Sequence, residues 1–254
     1  MAQRRGVATV GTSGYQYDHW KGVFYPEGLP KTRWFGYYAE RFDTVEINNT
    51  FYRLPPRAVF ERWRAAAPAG FCFAVKYSRF GSHRKRLKDP EQTVERFLGS
   101  AEGLGSALGP ILVQLPPRWH ADPGRLEAFL EAVGRRHRWA VEFRDDSWLC
   151  EDVYRVLESH GAALCVHDLL PDHPRRLTAG FAYFRFHGVG YGGNYTAPRL
   201  AEKADALRKL MDEGMDVYAY FNNDLGGYAV RNAVELREAL EAEAGARRSR
   251  REGG

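Results

Sequence analysis

The sequence has little cysteine, and its three cysteines, Cys72, Cys150 and Cys165, stand far apart. Neither a disulfide framework nor a zinc site is favoured by scattered, unpaired cysteines. The sequence also lacks an apolar segment behind its first arginines, and no run approaches the roughly 18 apolar residues that a membrane-spanning helix needs. These absences predict a globular cytoplasmic protein in a reducing compartment.

The body of the chain has no excess of charge of either sign. The formal net charge is +5, of which Arg4 and Arg5 contribute +2 and the last ten residues +3, so the remainder is neutral. We therefore expect one domain at 7–244, an N-terminal arm at 1–6 and a basic, disordered tail at 245–254. Binding of nucleic acid by the tail is the alternative.

What the chain does contain is a repeated alternation of β-rich runs and helix-like stretches, which occurs eight times in 254 residues. This alternation is typical of parallel βαβ units and predicts an α/β fold, a single-domain (β/α)8 TIM barrel, with an open doubly wound sheet as the alternative. Strands are predicted at 7–11, 44–48, 71–76, 111–114, 139–143, 163–166, 181–186 and 217–221. Helices are predicted at 33–41, 58–66, 91–104, 123–136, 151–160, 198–213 and 228–242, with the least helix after the sixth strand.

The second strand carries an unusual charge. Val45 and Ile47 form one face and Glu46 and Asn48 the other, because successive side chains in a strand alternate between its two sides. A carboxylate on the covered side of a strand is costly unless it is paired or hydrogen-bonded. Glu46 therefore requires partners elsewhere in the chain.

The same alternation predicts which other side chains face the barrel interior. It turns Lys76, Gln114, Glu142 and Arg185 inward, and it leaves open whether His167 or Asp168 faces inward on the sixth strand. Active sites of this fold lie at the C-terminal ends of the strands, where these residues fall. The polar residues predicted at that rim are Glu46, Asn48, Lys76, Gln114, Glu142, Arg144, Asp168, Arg185, His187 and Asn222.

Two interpretations of this polar rim remain open: a ligand site, or charges that pair with one another and only close the barrel. For a ligand site, the catalytic candidates are Glu46, Glu142, Asp168 and His187. The predicted substrate-binding residues are Asn48, Tyr52, Lys76, Gln114, Arg144, Trp148, Arg185, Tyr220, Asn222, Asn223 and Asp224.

Loops on the same face add two features. The loop after the third strand carries the cations His83, Arg84, Lys85, Arg86 and Lys88, which either guide an anion or form a solvated surface. Aromatic residues are also abundant in these loops and either pack or offer faces to a sugar or base. They are Tyr15, Tyr17, Trp20, Phe51, Tyr52, Trp148, Tyr191 and Tyr195.

Several motifs in one order resemble the YecE-like family (domain of unknown function 72), TIM-barrel proteins of unsettled activity. The motifs are Gly-Thr-Ser-Gly-Tyr at 11–15, Glu-Ile-Asn at 46–48, Phe-Ala-Val-Lys at 73–76, Gln-Leu-Pro at 114–116, Glu-Phe-Arg at 142–144, Arg-Phe-His-Gly at 185–188 and Tyr-Phe-Asn-Asn-Asp at 220–224. The resemblance covers roughly residues 7–240 and implies a TIM barrel similar to those of xylose isomerase and endonuclease IV. Asp145 departs from the family pattern, in which a histidine follows the arginine.

The functional hypothesis is an enzyme that acts on an anionic, phosphate-bearing substrate, with nucleic acid as one candidate and a hydrolase or phosphodiesterase-like activity as one reaction class. One alternative is a non-catalytic protein that binds nucleic acid or another polyanion. Another is a sugar-processing enzyme that uses Glu46 and Glu142 as its carboxylate pair. The cofactor is unknown: a divalent metal is compatible with the sequence, but no spacing requires one. No membrane partner is expected, and the oligomeric state is open.

Overall fold

The chain forms a closed barrel of parallel strands, which confirms the TIM-barrel prediction. The computed structural model describes residues 4–170 and 173–252, with side chains through residue 242. The strands in this part of the chain are β1 (Ala8–Ser13), β2 (Thr44–Ile47), β3 (Cys72–Lys76), β4 (Leu108–Gln114), β5 (Trp139–Glu142), β6 (Ala163–His167), β7 (Phe181–Phe186) and β8 (Asp216–Phe221). Neighbouring strands pair in sequence order, and β8 closes the barrel against β1.

Helices follow most of the strands and cover the outside of the barrel. They are α1 (Trp34–Ala39), α2 (Asn49–Tyr52), α3 (Arg57–Ala66), α4 (Pro90–Ala101), α5 (Pro123–Val133), α6 (Glu151–His160), α7 (Ala197–Asp212) and α8 (Tyr228–Glu252). Between β6 and β7 the described residues, 168–170 and 173–180, contain no helix. This agrees with the prediction that the sixth strand is followed by the least helix.

Local sequence signals explain where the helices begin and end. At the start of α5, the Asp122 carboxylate accepts the backbone N–H of Arg125 at 3.0 Å, and Pro123 occupies the first turn, where its missing N–H costs nothing. At the end of α6, Gly161 adopts a left-handed conformation with φ of 64°, which glycine accepts without strain.

Several element boundaries differ from the prediction, among them those of β4 and of the last helix. β4 begins at Leu108 and contains Pro110, a residue that removes a donor from a sheet ladder. The strand accommodates Pro110 because the pairing of β3 with β4 shifts register between Phe73 and Val75. The last helix continues to Glu252, past its predicted end at residue 242.

Two apolar layers hold the barrel together. The outer layer lies between strands and helices and includes the fully buried Phe73, Val113, Val141 and Phe221. The inner layer fills the barrel itself and consists of Ala74, Leu112, Ala140, Ala163, Cys165, Phe181, Tyr183, Tyr218 and Tyr220. The interior is therefore a packed core, and the polar residues that continue the inward-facing rows lie above it.

The two ends of the chain fall partly outside the described residues. Of the predicted arm at 1–6, Arg4 pairs with Asp216 and Arg5 pairs with Asp212 at 2.9 Å, whereas residues 1–3 are not described. Of the predicted tail at 245–254, residues 245–252 belong to α8 with undescribed side chains, and residues 253–254 are not described. In the described part of the chain, no helix is long and apolar enough to cross a membrane.

Candidate active site

Strand register brings the predicted polar residues to one level at the C-terminal mouth of the barrel. Ser13 on β1 pairs with Glu46 on β2, and Gln114 on β4 pairs with Glu142 on β5. On the other side, His167, Arg185 and Tyr220 pair in turn across β6, β7 and β8. Residues far apart in sequence thus surround one space above the inner apolar layer.

The inner part of the mouth is an ion-pair network centred on Arg185, which is only 1% exposed. Its Nη2 donates to Glu46 Oε1 at 2.8 Å and its Nη1 donates to Glu142 Oε2 at 2.6 Å. Glu46 also accepts the Tyr183 hydroxyl at 2.7 Å, and Glu142 also accepts Arg144 Nε. Both carboxylates are completely buried, so these bonds replace the water that they have lost.

This network keeps both carboxylates ionised. Burial opposes ionisation of Glu46, but the Arg185 guanidinium and the Tyr183 hydroxyl outweigh it and lower the pKa of that carboxyl group. For Glu142, burial is outweighed by Arg185 and Arg144, and the pKa lies well below its usual range. In turn, Glu142 and Glu46 overcome the burial of Arg185 and hold the guanidinium pKa well above its ordinary value.

Lys76 lies beside this network but is not part of it. Its residue is 9% exposed, and its Nζ stands 4.2 Å from the centroid of the Phe51 ring. Among the described residues it forms neither an ion pair nor a side-chain hydrogen bond. Burial, reinforced by the Arg185 guanidinium and opposed by Glu142 and Glu46, lowers the pKa of Lys76 to about 8.

Arg144 forms the other cationic part of the mouth, with a side chain that is 19% exposed. Its Nη2 lies 3.3 Å from His187 Nε2, and Arg185 Nη1 lies 3.4 Å from the same nitrogen. Because both guanidinium groups can only donate, His187 Nε2 must accept, which assigns a neutral imidazole with its proton on Nδ1. Burial lowers the pKa of His187, with a smaller contribution from Arg185, although Asp168 acts in the opposite direction.

Asp168 fixes the other side of His187. Its Oδ1 accepts the backbone N–H of His187 at 2.8 Å, and its Oδ2 accepts the Tyr195 hydroxyl and lies 3.5 Å from Lys203 Nζ. His187 Nδ1 stands 3.6 Å from Oδ1, which is too long for a hydrogen bond and leaves an electrostatic contact. Burial opposes ionisation of Asp168, but the hydrogen bonds from His187 and Tyr195 lower its pKa.

Gly188 allows the chain to turn directly after His187. Gly188 has a φ of 90°, and a Cβ there would meet Gly193 O at 2.4 Å. Its N–H donates to the Tyr195 hydroxyl at 2.8 Å. The turn therefore requires glycine and connects the strand end to Tyr195.

His83 lies in the basic loop near Lys76. Its ring packs edge-on against Phe51 with centroids 4.9 Å apart, and its Nδ1 lies 3.0 Å from Ser82 Oγ. Because the Ser82 hydroxyl donates to Ser78 O at 2.9 Å, His83 Nδ1 carries the proton and Nε2 keeps its lone pair. Burial, with the charge of Lys76 and other nearby cations, lowers the pKa of His83 to about 4.

The structure brings together many of the predicted site residues. Glu46, Glu142 and Arg185 form the buried network, and Lys76, Arg144 and His187 surround it. Asn48, Gln114 and Asn222 are half-buried at the same rim. On β6 the inward position belongs to His167, since it continues the row of Ala163 and Cys165, whereas Asp168 lies one residue beyond the strand.

Four predicted substrate-binding residues pack or form hydrogen bonds within the protein. Trp148 is fully buried and stacks on Phe143 at 5.0 Å, so it packs under the loops. Tyr220 is fully buried in the inner apolar layer, and its hydroxyl lies 2.8 Å from Thr44 Oγ1. The depth of these two side chains could not be predicted, because alternation gives direction but not depth.

Asn223 and Asp224 join loops. Asn223 is fully buried and donates to Gly193 O and Asn232 Oδ1, each at 3.0 Å. The backbone carbonyl of Asp224 accepts Trp20 Nε1 at 2.8 Å, and its carboxylate lies 3.4 Å from His19. Their hydrogen bonds support a structural role in positioning the loops above β8 and β1.

The loop aromatic residues divide in the same way. Tyr15, Trp20, Phe51, Trp148 and Tyr195 are buried, so they pack. Tyr52 and Tyr191 remain 77% and 73% exposed and can offer a face to a ligand. Tyr191 also lies nearly parallel to the His187 ring, with centroids 6.5 Å apart.

Sequence reasoning missed Tyr183 and the local role of His83. Tyr183 precedes Arg185 by two positions on β7 and so shares its inward face, a signal that the alternation already contained. His83 gave no comparable signal, because its contact with Phe51 depends on the folding of two loops. Asp145, where the family pattern suggests histidine, accepts Ser147 Oγ at 2.6 Å and caps a short helical turn.

No group of three or more histidine, cysteine, aspartate or glutamate side chains in the described residues is arranged to hold a metal ion. Several residues that could supply metal ligands have other partners: Glu46 and Glu142 bind Arg185, and Asp168 binds the backbone of His187. His167 Nε2 donates to Phe143 O at 2.6 Å, and its Nδ1 accepts the Leu169 N–H at 3.3 Å.

Fold and site together define a single-domain TIM barrel whose C-terminal mouth holds a buried ion-pair network beneath cationic side chains. Residues 9–252 match the family described as "Protein of unknown function DUF72", and the chain belongs to this family. The YecE-like resemblance concerns the same family and is confirmed.

Relatives agree with this assignment. The chain is 25% identical to the UPF0759 protein YunF of Bacillus subtilis (strain 168), over 92% of this chain and 95% of that protein. It is similar to the crystal structure of a DUF72 family protein from Thermotoga maritima MSB8, with a TM-score of 0.83 and 32% identity over 92% of this chain and 99% of that one. A DUF72 family protein from Enterococcus faecalis V583 shares the fold, with a TM-score of 0.78 and 21% identity over 92% and 96% of the two chains.

Proposed function

We propose that this protein is an enzyme that binds a phosphate-bearing substrate at the C-terminal mouth of its barrel. The observation that supports the proposal is that some charged side chains at the mouth pair with one another and others do not. Arg185 and Arg144 together balance the charges of Glu46 and Glu142, whereas Lys76 forms no ion pair among the described residues. The mouth therefore presents cationic donors above carboxylates that are already satisfied, and an anion would be attracted to those donors.

Arg144 and Lys76 would contact the anion from different strands. Arg144 uses Nε for Glu142 and Nη2 for His187, which leaves its Nη1 available. The Nζ of Lys76 lies over the Phe51 ring and donates no hydrogen bond within the described residues. Its N–H groups can therefore donate to a ligand. The buried network holds Arg144 through Glu142, so little ordering of this side chain would be required when the substrate binds.

The amine of Lys76 is the group best suited to proton transfer, because the Nε2 of the neutral His187 already accepts from Arg144 and Arg185. The pKa values of Glu46 and Glu142 are lowered, which makes both carboxylates weak bases at neutral pH. For the same reason the pair is less suited to sugar processing, where the acid needs a raised pKa. The two carboxylates instead hold Arg185 and Arg144 in place.

Binding of phosphate-bearing compounds tests the proposal. A panel of phosphorylated metabolites would be titrated calorimetrically against the full chain, and bound compounds would then be followed for turnover. We expect Lys76→Met and Arg144→Gln each to weaken binding by about tenfold or more, because each removes a charged donor worth about 1.5–3 kcal/mol. Lys21→Met is the matched control, since Lys21 also lies over an aromatic ring, that of Trp34 at 5.8 Å, but is exposed.

The titrations distinguish recognition from bulk charge. Loss of affinity in both mouth variants but not in Lys21→Met would support the proposed site. Unchanged affinity in both mouth variants, or failure of every phosphorylated compound to bind the wild-type chain, would contradict it. Removal of phosphate from the same compounds should abolish binding, which checks that the phosphate is the group recognised.

A second candidate function, non-catalytic binding of a polyanion, is favoured by a groove beside the mouth. Its volume is about 570 Å³, and two acidic residues face five cations within it. The residues that line this basic groove are Arg84, Lys85, Arg86, Lys88, Asp89, Trp119, Asp122 and Arg125. Five cations around one groove suit the phosphates of a single-stranded nucleic acid.

A further inference from the structure

Lys76 differs from the partly buried Lys203 in forming no ion pair with a carboxylate among the described residues. Lys203 also lies over aromatic rings, 4.1 Å from the centroid of Phe186 and 4.7 Å from that of Tyr195, but Asp168 stands 3.5 Å from its Nζ. Lys76 has the ring of Phe51 at 4.2 Å and no such partner. Its surroundings therefore stabilise an ammonium ion less than those of Lys203 do.

The amine of Lys76 is also held in a defined place. Lys76 is the last residue of β3 and continues the inward row of Ala74, so its side chain rises from the packed interior into the mouth. Its backbone carbonyl accepts the Thr50 hydroxyl at 2.7 Å, which ties the strand end to α2. With 9% of its surface exposed, the residue can be reached from the mouth without unfolding.

We infer that Lys76 is a nucleophile that forms an imine with a substrate carbonyl group, and that the substrate class is a phosphorylated aldehyde or ketone. The inference rests on the proposed function and narrows the role of Lys76 in it: Arg144 would hold the phosphate, while the Lys76 amine meets the carbonyl carbon. An amine becomes nucleophilic when an apolar environment and neighbouring cations disfavour its charged form. A pKa of about 8 for Lys76, lowered mainly by burial, leaves a useful neutral fraction near neutral pH.

The covalent step needs no oxidant or cofactor. The Lys76 nitrogen adds to the carbonyl carbon, and the electrons of the C=O π bond move to oxygen. One proton passes from nitrogen to that oxygen to give a carbinolamine. A proton from solvent then lets the hydroxyl leave as water while the nitrogen lone pair forms the C=N bond of a protonated iminium ion. Addition of water reverses these steps and restores the amine.

Reductive trapping tests this inference on the full chain. The wild-type protein would be incubated with glyceraldehyde 3-phosphate or with glyceraldehyde, each with sodium cyanoborohydride, and adducts would be assigned to single lysines by peptide mass spectrometry. With the phosphorylated probe at pH 7, we expect Lys76 to be modified at least tenfold faster than Lys21. The comparison within one folded protein does not depend on whether Lys76→Met folds.

The matched probes separate this inference from the proposed function. Fast modification of Lys76 by the phosphorylated probe, slowed by inorganic phosphate and much slower with glyceraldehyde, supports both. Equal modification by the two probes supports the nucleophile and overturns phosphate recognition. If Lys76 reacts no faster than Lys21 while phosphorylated compounds still bind in the calorimeter, the imine is overturned and the proposed function stands. Lys21→Met should leave the adduct on Lys76 unchanged.

Discussion

At the scale of single residues, Arg185 decides the character of the mouth. One guanidinium satisfies two fully buried carboxylates that come from β2 and β5, on different parts of the barrel wall. Such a network is weak evidence for high stability, because desolvation of the ions offsets much of their attraction. Its clearer consequence is geometric: it holds the surrounding groups, including Arg144, at fixed positions.

Removal of Arg185 should therefore be strongly destabilising. Arg185→Met leaves Glu46 and Glu142 buried without their shared partner, and we expect the free energy of unfolding to fall by about 3–5 kcal/mol. Urea denaturation followed by circular dichroism measures this change. The triple variant Arg185→Met, Glu46→Gln, Glu142→Gln should recover part of the loss, because neither carboxylate is then left as an unpaired buried charge.

An exposed arginine provides the control for this prediction. Arg176 forms ion pairs with Glu158 and Glu151 at the surface, so Arg176→Met should leave the urea midpoint almost unchanged. If Arg185→Met shifts the midpoint no more than Arg176→Met does, the central network has no special role in stability. A triple variant less stable than Arg185→Met alone would also contradict the explanation.

At the scale of elements, the loop after β3 combines a basic surface with unusual backbone geometry. Arg86, Leu87 and Asp89 have φ angles of 48°, 61° and 43°, in the left-handed region that residues other than glycine seldom adopt. Leu87 is 1% exposed, so its side chain anchors the loop in the core while the cations stay outside. The basic groove is thus built on a fixed loop.

Neutralisation of this loop tests the polyanion candidate. We expect Arg84→Gln, Lys85→Gln, Arg86→Gln together to weaken binding of a single-stranded oligonucleotide and to reduce the slope of log affinity against log salt by about 2–3, or about one for each lost phosphate contact. Fluorescence anisotropy at several salt concentrations measures both quantities. The expected effect is a property of the whole loop, because its three neighbouring cations act together.

A variant of equal charge controls for net charge alone. Arg62, Arg135 and Arg136 are exposed and lie outside the basic groove, and their replacement by glutamine removes the same number of charges. This variant should bind the oligonucleotide nearly as the wild type does. Equal losses in the two variants would indicate unspecific attraction, and no binding by the wild type at low salt would exclude the candidate.

At the scale of the whole molecule, buried carboxylates determine how stability responds to acid. The folded-state pKa values of Glu46, Glu142 and Asp168 lie below their ordinary values. Below about pH 4.5 the unfolded chain therefore binds protons that the folded chain does not yet bind, and stability falls as the pH falls. Above that pH these groups are ionised in both states and their stabilising contribution is complete.

Thermal unfolding between pH 7 and pH 3 measures this response. We expect the Tm to fall moderately below about pH 6.5, because histidines of the unfolded chain then bind protons that the half-buried His83 and the buried His187 do not. Below about pH 4.5 the decline should become steeper, because the carboxylates add to the loss. The triple variant Arg185→Met, Glu46→Gln, Glu142→Gln lacks two of the three carboxylates and should lose less Tm over the same acid range. An equally steep decline in that variant would assign the acid sensitivity to other groups.

Much of the fold and part of the site follow from the sequence alone. Alternation of side chains placed Glu46, Lys76, Glu142 and Arg185 on the inward face of their strands, because the period of a strand is fixed by its backbone. Eight strand and helix units gave the barrel, since parallel strands require crossover connections. A closed barrel then brings the strand ends together, so a polar rim was predictable.

Only the tertiary structure decided which of these side chains form ion pairs with one another and which remain available to a ligand. Glu46 and Arg185 are 139 positions apart, and no local pattern specifies that they form a buried ion pair or that Lys76 is left beside an apolar ring. The sequence also did not show how deeply a side chain is buried. Trp148 and Tyr220 were predicted at the rim, and both are fully buried. Local sequence sets the side from which a residue points, whereas its partners and its exposure depend on contacts between segments distant in the chain.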